Sequence, residues 1–286
     1  MSRNRDRLGA QQQSDNSPPP QLAQNENNDS SFSFVVPTEF VELPSRGRFY
    51  PNGHPLHNQE TIEIKHMTAK EEDLLTSRAL LKKGIVLDRL IQSVIINKAI
   101  QPSNILVGDR NAIIIAARIS GYGAGYRTKI TCPACGTTQE HDFDLHNVIN
   151  YDGSELGDHE AVANENGTFT TTLPRTKIEV TFKLLTGHDE KSLLSQTENA
   201  RKAKKEENNV TRQLRLFIVA VNGNTEQSAI NYVVNNMPSM DVRHLRHVYK
   251  IASPNVDMTH NFECNSCDYE QELEVPLTAD FFWPDR

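Results

Sequence analysis

All four cysteines of this 286-residue chain fall into two Cys-x-x-Cys pairs, Cys132/Cys135 and Cys264/Cys267, with none left over. A Cys-x-x-Cys turn aims two sulfurs at one point, and two such turns supply the four thiolates that tetrahedral Zn2+ takes at about 2.3 Å. Disulfides and redox-active thiols are the competing readings. A reducing cytosol disfavours the first, and the second needs a thioredoxin-like setting that this sequence lacks. The expectation is one structural Zn2+ held by Cys132, Cys135, Cys264 and Cys267. Four thiolates close the site to water and substrate, so the metal would contribute folding energy and not catalysis.

Other constellations carry less. His54 and His57, and His244 and His247, are spaced like a metal pair on a helix, but no carboxylate or third ligand completes a pattern, so ordinary histidines are expected. Gly121-Tyr122-Gly123-Ala124-Gly125 has the glycines of a phosphate loop but stands after a helix and before a strand, the reverse of the order that aims a helix dipole at phosphate; it should terminate a helix. No Ser/His/Asp or Cys/His signature stands out, so neither an enzymatic activity nor a small-molecule substrate is expected.

The cysteine turns must be positioned by their flanks. Thr61 to His66 alternates as a strand, and Thr68 with Glu71 three residues later forms a capping box for a helix carrying Leu74, Leu75, Leu80 and Leu81. Val86 to Ile100 has a core-facing stripe at helical spacing. A third helix should begin with Asp109 as its cap and end at Gly121 and Gly123. Tyr126 to Thr131 and Gln139 to Leu145 then read as strands around Cys132-Pro133-Ala134-Cys135-Gly136.

The same order of events returns further on. Lys177 to Lys183 is a strand, Thr186 to Glu190 opens a helix, Leu214 to Val221 and Ile230 to Val234 suggest more helix, and Ser239 caps another. Cys264-Asn265-Ser266-Cys267 again lies between strands. Cys132 follows Asp109 by 23 positions, as Cys264 follows Asp241. We read a diverged internal duplication, against a chance likeness of helix and ribbon patterning. The fold class expected is α+β: two helical repeats, each ending in a β-hairpin zinc knuckle, joined as a split four-Cys zinc ribbon. The expected divisions are a disordered tail over 1–31, an extended arm with turns over 32–60, repeats over 61–149 and 176–278, an acidic linker over 150–175, and an aromatic tail over 279–286.

The arm, Phe40 to Gly53, holds Pro44, Gly47 and Pro51-Asn52-Gly53, which forbid a helix. It either packs on its own domain or docks on another subunit through Phe40, Leu43, Arg46, Arg48, Phe49 and Tyr50. Phe282 and Trp283 near the end pose the same choice. The tail is rich in Gln, Asn, Ser and Pro, too polar to offset its ordering entropy. Net charge is −7, which argues against a protein that mainly neutralises DNA phosphates. No apolar run reaches the length of a membrane span and no signal peptide is evident, so no membrane association and a cytosolic location are expected.

Glu42-Leu43-Pro44-Ser45-Arg46-Gly47-Arg48-Phe49-Tyr50-Pro51, the Met67-Thr68 helix start, Gly108-Asp109-Arg110 to Arg118, the Tyr/Gly-rich turn and Cys132 to Gly136, in that order, resemble the baseplate protein family of T-even-like contractile-tailed phages. The resemblance covers about residues 38 to 278. It implies a non-enzymatic component or assembly factor of the central baseplate hub, acting in the infected host's cytoplasm and either retained in the virion tail baseplate or leaving after assembly, with other hub or wedge proteins as partners. A zinc-ribbon nucleic-acid binder or transcription regulator is the alternative. It would need a basic face near the knuckles, where Glu140, Asp142, Asp144, Glu263, Asp268, Glu270, Glu272 and Glu274 stand instead.

Overall fold

A computed structural model describes residues 35–159, 161–203, 208–275 and 279–282. The expected tail over 1–31 and Trp283 lie outside the described residues. The described chain is mixed α+β, with eight α-helices and small antiparallel sheets.

The first half starts with the hairpin of β1 (Thr38–Glu42) and β2 (Thr61–Lys65), joined by the turns of the arm. Helices α1 (Ala69–Thr76), α2 (Arg78–Lys82), α3 (Val86–Val94) and α4 (Val107–Tyr122) follow, then a hairpin of β3 (Gly125–Thr131) and β4 (Thr138–Asp144). The segment expected as an acidic linker over 150–175 holds most of β5 (Ile149–Tyr151), all of β6 (Ala161–Ala163) and the five-residue strand Thr168–Thr172. The three-residue strands carry no alternation long enough to read.

In the second half β7 (Thr168–Thr172) pairs with β8 (Glu179–Lys183), then come α5 (Gly187–Lys202), α6 (Asn209–Phe217), β9 (Ile218–Val221), α7 (Gln227–Asn236) and α8 (Ser239–Ala252). After β10 (Asn255–Asp257), β11 (Thr259–Glu263) and β12 (Glu270–Glu274) form the last hairpin. The sheet order β6-β7-β8-β9 is the largest among the described residues. The stretch Ile218–Val221, read as helix from its apolar content, is a strand because its β-branched residues pair with Val180 to Phe182 of β8.

One apolar core runs through both halves, from Leu43, Ile64 and Leu90 to Phe169, Phe217 and Leu245. A separate small cluster of Cys132, Cys264 and Phe262, flanked by Ile130 and Leu273, sits between the two cysteine hairpins. The halves also exchange segments. Ile149 to Tyr151, after the first hairpin, pairs with Asn255 to Asp257, before the second. Conversely Phe281, after the second hairpin, packs on Tyr126 at the base of the first, with ring centroids 5.1 Å apart. The buried Arg118 of α4 fixes that second exchange, donating to the carbonyls of Gly123, Gly125 and Phe281. Among the described residues no helix is long and apolar enough to cross a membrane.

Candidate metal centre

Each cysteine turn is built by the same backbone bonds. Cys132 N–H donates to Thr137 O and Gly136 N–H to Cys132 O, both at 2.9 Å; Cys264 N–H donates to Tyr269 O at 2.9 Å and Asp268 N–H to Cys264 O at 3.0 Å. Gly136 and Asp268 take the left-handed conformation that turns the chain back, at φ +74° and +53°. The two turns meet face to face. All four sulfurs lie within 4.8 Å of one another, with Cys132 Sγ 3.8 Å from Cys267 Sγ and Cys135 Sγ 3.6 Å from Cys264 Sγ.

These distances decide the chemistry. A disulfide needs about 2.05 Å between sulfurs, and all four cysteines are free. A tetrahedron with arms of about 2.3 Å has edges of about 3.8 Å, so the four sulfurs are close enough together to hold a thiophilic cation. Cys132 and Cys264 are buried, while Cys135 and Cys267 face solvent, which gives a metal an approach. Without a cation four crowded thiols cannot all ionise. Cys135 is drawn down to about 6, first by the hydroxyl and then by the backbone N–H of Thr137. The Tyr269 N–H lowers Cys267, but hydrogen bonding with Cys135, desolvation and its other sulfur neighbours win and push it up to about 12. A divalent cation would remove that conflict by favouring the thiolate at every corner.

Gln139 locks the two turns to each other, donating to Glu263 O at 2.8 Å and accepting from Asn265 N–H at 2.9 Å. Beneath them His141, Phe143, His260 and Phe262 interleave, with ring centroids 4.6 to 5.8 Å apart.

The residues expected to meet a partner divide. Leu43, Tyr50 and Phe282 are buried in their own chain, Phe49 is half-buried against Phe169, and Phe40, Arg46 and Arg48 are exposed. For the buried three, packing on their own domain is the arrangement found. Tyr50 explains why the arm is held: its hydroxyl donates to Asp109 Oδ2 at 2.7 Å and accepts from Leu106 N–H at 3.0 Å. Asp109 also takes the N–H and hydroxyl of Ser45. Asp109 is therefore not the helix cap; it lies in the first turn of α4, bonded to the arm. Asp241 does the same in α8, accepting from Arg175 N–H, Thr176 N–H and the Thr176 hydroxyl. The matched offset of both aspartates from the cysteines is the signal that could have found these clasps; in the sequence it supports the duplication, and Asp109 alone reads as a cap.

His54 and His57 both pack on the arm: His57 bonds Tyr50 O and His54 stacks on the Tyr50 ring. Gly123, at φ +84°, ends α4 as expected of the glycine-rich turn.

Comparison with curated proteins and with solved structures gives no match. The family model described as T4 bacteriophage base plate protein matches residues 37–283, which spans the arm, both halves and both cysteine hairpins. With a match of that extent, the chain belongs to the T4 bacteriophage base plate protein family.

Proposed function

We propose that this chain is a non-enzymatic structural component or assembly factor of the central hub of a phage tail baseplate, binding other hub or wedge proteins in the host cytoplasm. The family match over residues 37–283 carries the reading. Within it, the two halves are diverged copies of one α+β unit. Three arrangements recurring in the same order support this. The capping boxes Lys65/Thr68/Glu71 and Lys183/Thr186/Asp189 each place the lysine six residues before the carboxylate. The arm clasps on Asp109 and Asp241 come next, and the cysteine hairpins last. The metal is Zn2+, one per chain, and the hairpins form a split ribbon whose closure joins the copies. The acidic hairpins weigh against the nucleic-acid alternative.

The test is a phage carrying a nonsense codon in this reading frame. Peripheral baseplate intermediates should accumulate without completed hubs, as seen by electron microscopy of lysates, and the plasmid-borne protein should restore them. Complete hubs in its absence would overturn the reading. Mass spectrometry of purified virions then separates a retained component from a factor that leaves.

A further inference from the structure

Among the described residues β1 pairs with β2 alone, so its other edge carries no strand. Leu43 N–H donates to Glu60 O and His66 N–H to Pro37 O. With the register Thr38↔Lys65 to Glu42↔Thr61, the odd-numbered residues of β1 therefore bond β2, and Thr38, Phe40 and Glu42 turn their backbone N–H and C=O groups to the open edge.

The second half shows what such an edge takes. Thr170 lies opposite Thr181 in β7–β8 as Phe40 lies opposite Glu63 in β1–β2. On β7 that edge is covered by β6: Val162 lies opposite Thr170, and Asn164 N–H donates to Thr168 O. The chain enters β7 from β6 through Asn164-Glu165-Asn166-Gly167, with Gly167 at φ +76°. Before β1 stand Val35-Val36-Pro37, β-branched residues and a proline that suit no tight hairpin turn. The tight hairpin that covers β7 therefore has no counterpart directly before β1.

The edge also specifies its chemistry. Phe40 is 71% exposed, and Glu42 and Glu63 flank it on the same face. On the other face one carboxylate oxygen of Glu39 is buried without a hydrogen-bond partner. We propose that the outer edge of Thr38–Glu42 is a docking site for an extended segment of another protein. That segment adds antiparallel, sets an apolar side chain against Phe40, and brings Lys or Arg to Glu39, Glu42 and Glu63. That the other protein is a baseplate subunit rests on the function proposed above; the edge and its charge do not.

The experiment uses the full chain and a ten-residue peptide repeating Lys-Val-Val-Lys, so that one register sets Val against Phe40 and Lys against both Glu42 on the same face and Glu39 on the other. Binding is read by fluorescence anisotropy at low salt and by amide hydrogen exchange. Exchange at Thr38, Phe40 and Glu42 should slow on binding, and the same peptide with Glu in place of each Lys should not bind. Phe40→Pro removes an outward N–H while leaving the β2 bonds intact, and should weaken binding by roughly tenfold or more. Glu42→Gln with Glu63→Gln should weaken it and flatten its salt dependence. Phe40→Thr, the residue found at Thr170, is the fold control and should retain protection with reduced affinity. Absent protection, equal binding by a folded Phe40→Pro variant, or equal binding of both peptides would overturn the proposal. So would slow exchange at these amides without peptide, since the edge would then be covered by this chain or a second copy. No baseplate protein enters the assay, so its failure leaves the hub reading to the phage experiment.

Discussion

Two buried carboxylates, Glu71 and Asp109, show how one chemical group is shifted in opposite directions by its surroundings. Glu71 has no exposed surface. Burial raises its pKa, but the side chains of Lys65, Ser93 and Thr68 and the Thr68 N–H outweigh burial and hold it at about 2. A folded pKa below the unfolded one contributes stability above the ordinary carboxylate pKa, and that stability is lost as pH falls toward 2. The shift corresponds to about 3 kcal/mol at neutral pH, falling to less than half by about pH 3. Glu71→Gln should therefore lower stability by about 2–3 kcal/mol at pH 7 and by much less near pH 3, in urea midpoints taken at both. An equal loss at both would assign the effect to packing. Asp109 runs the other way: burial raises its pKa despite the Ser45 and Tyr50 bonds, so its contribution is largest in acid and declines as pH rises through the folded value. Asp241 sits in the matching clasp, yet its pKa is lowered, because bonds led by the Arg175 and Thr176 groups overcome its smaller desolvation. Asp109 receives one backbone N–H where Asp241 receives two.

At the scale of elements, the cysteine turns are the most constrained pieces. Gly136 and Asp268 occupy the same left-handed position, which costs glycine nothing and aspartate little. Gly136→Ala should cost about 1 kcal/mol, while Asp268→Gly should be neutral or slightly stabilising, in thermal melts of the metal-loaded protein. Equal effects would mean that the turns are not equivalent. These turns were legible in the sequence because their function needs fixed residue types at fixed spacing. So were the capping box at Thr68 and the helix start at Thr186, though the second capping box, closed by Asp189, was not. What was hidden depends on distant chain. The stripe from Val86 stops being helix at Val94 because Ile95 takes extended geometry and bridges to Ile64. Residues Ile149 to Tyr151 become a strand only because Asn255 to Asp257 lie beside them. The clasps on Asp109 and Asp241 were hidden for the same reason, since a carboxylate near a helix start reads locally as a cap and only the fold brings Ser45 or Thr176 to it. In the metal cluster the residue types were readable, but the lock supplied by Gln139 was not, because it joins turns that are far apart in sequence.

For the whole molecule, the question is what keeps the two halves in one body. Gly108 permits one close approach, since a Cβ there would collide with the Pro254 carbonyl, and it lets α4 lie against the chain entering β10. Arg118 closes the reciprocal seam by binding carbonyls on both sides of it. The cysteine cluster joins the hairpins that emerge from these two seams. A clamp and a seam that restrain the same relative motion must be energetically coupled, because loosening one reduces what the other can hold. Arg118→Ala removes three hydrogen bonds, one buried and two part-buried, from a buried charged donor and should cost about 3–5 kcal/mol. Chelation, or Cys264→Ser, should destabilise the protein substantially by removing binding energy that is also folding energy. Elemental analysis should show about one zinc per chain before chelation and none after it. Combined, the two losses should depart from additivity by more than about 1 kcal/mol in urea unfolding, since either alone already frees the hairpins. Additivity within about 0.5 kcal/mol would show that the metal stabilises only its own turns, and that the exchanged segments hold the halves together without it.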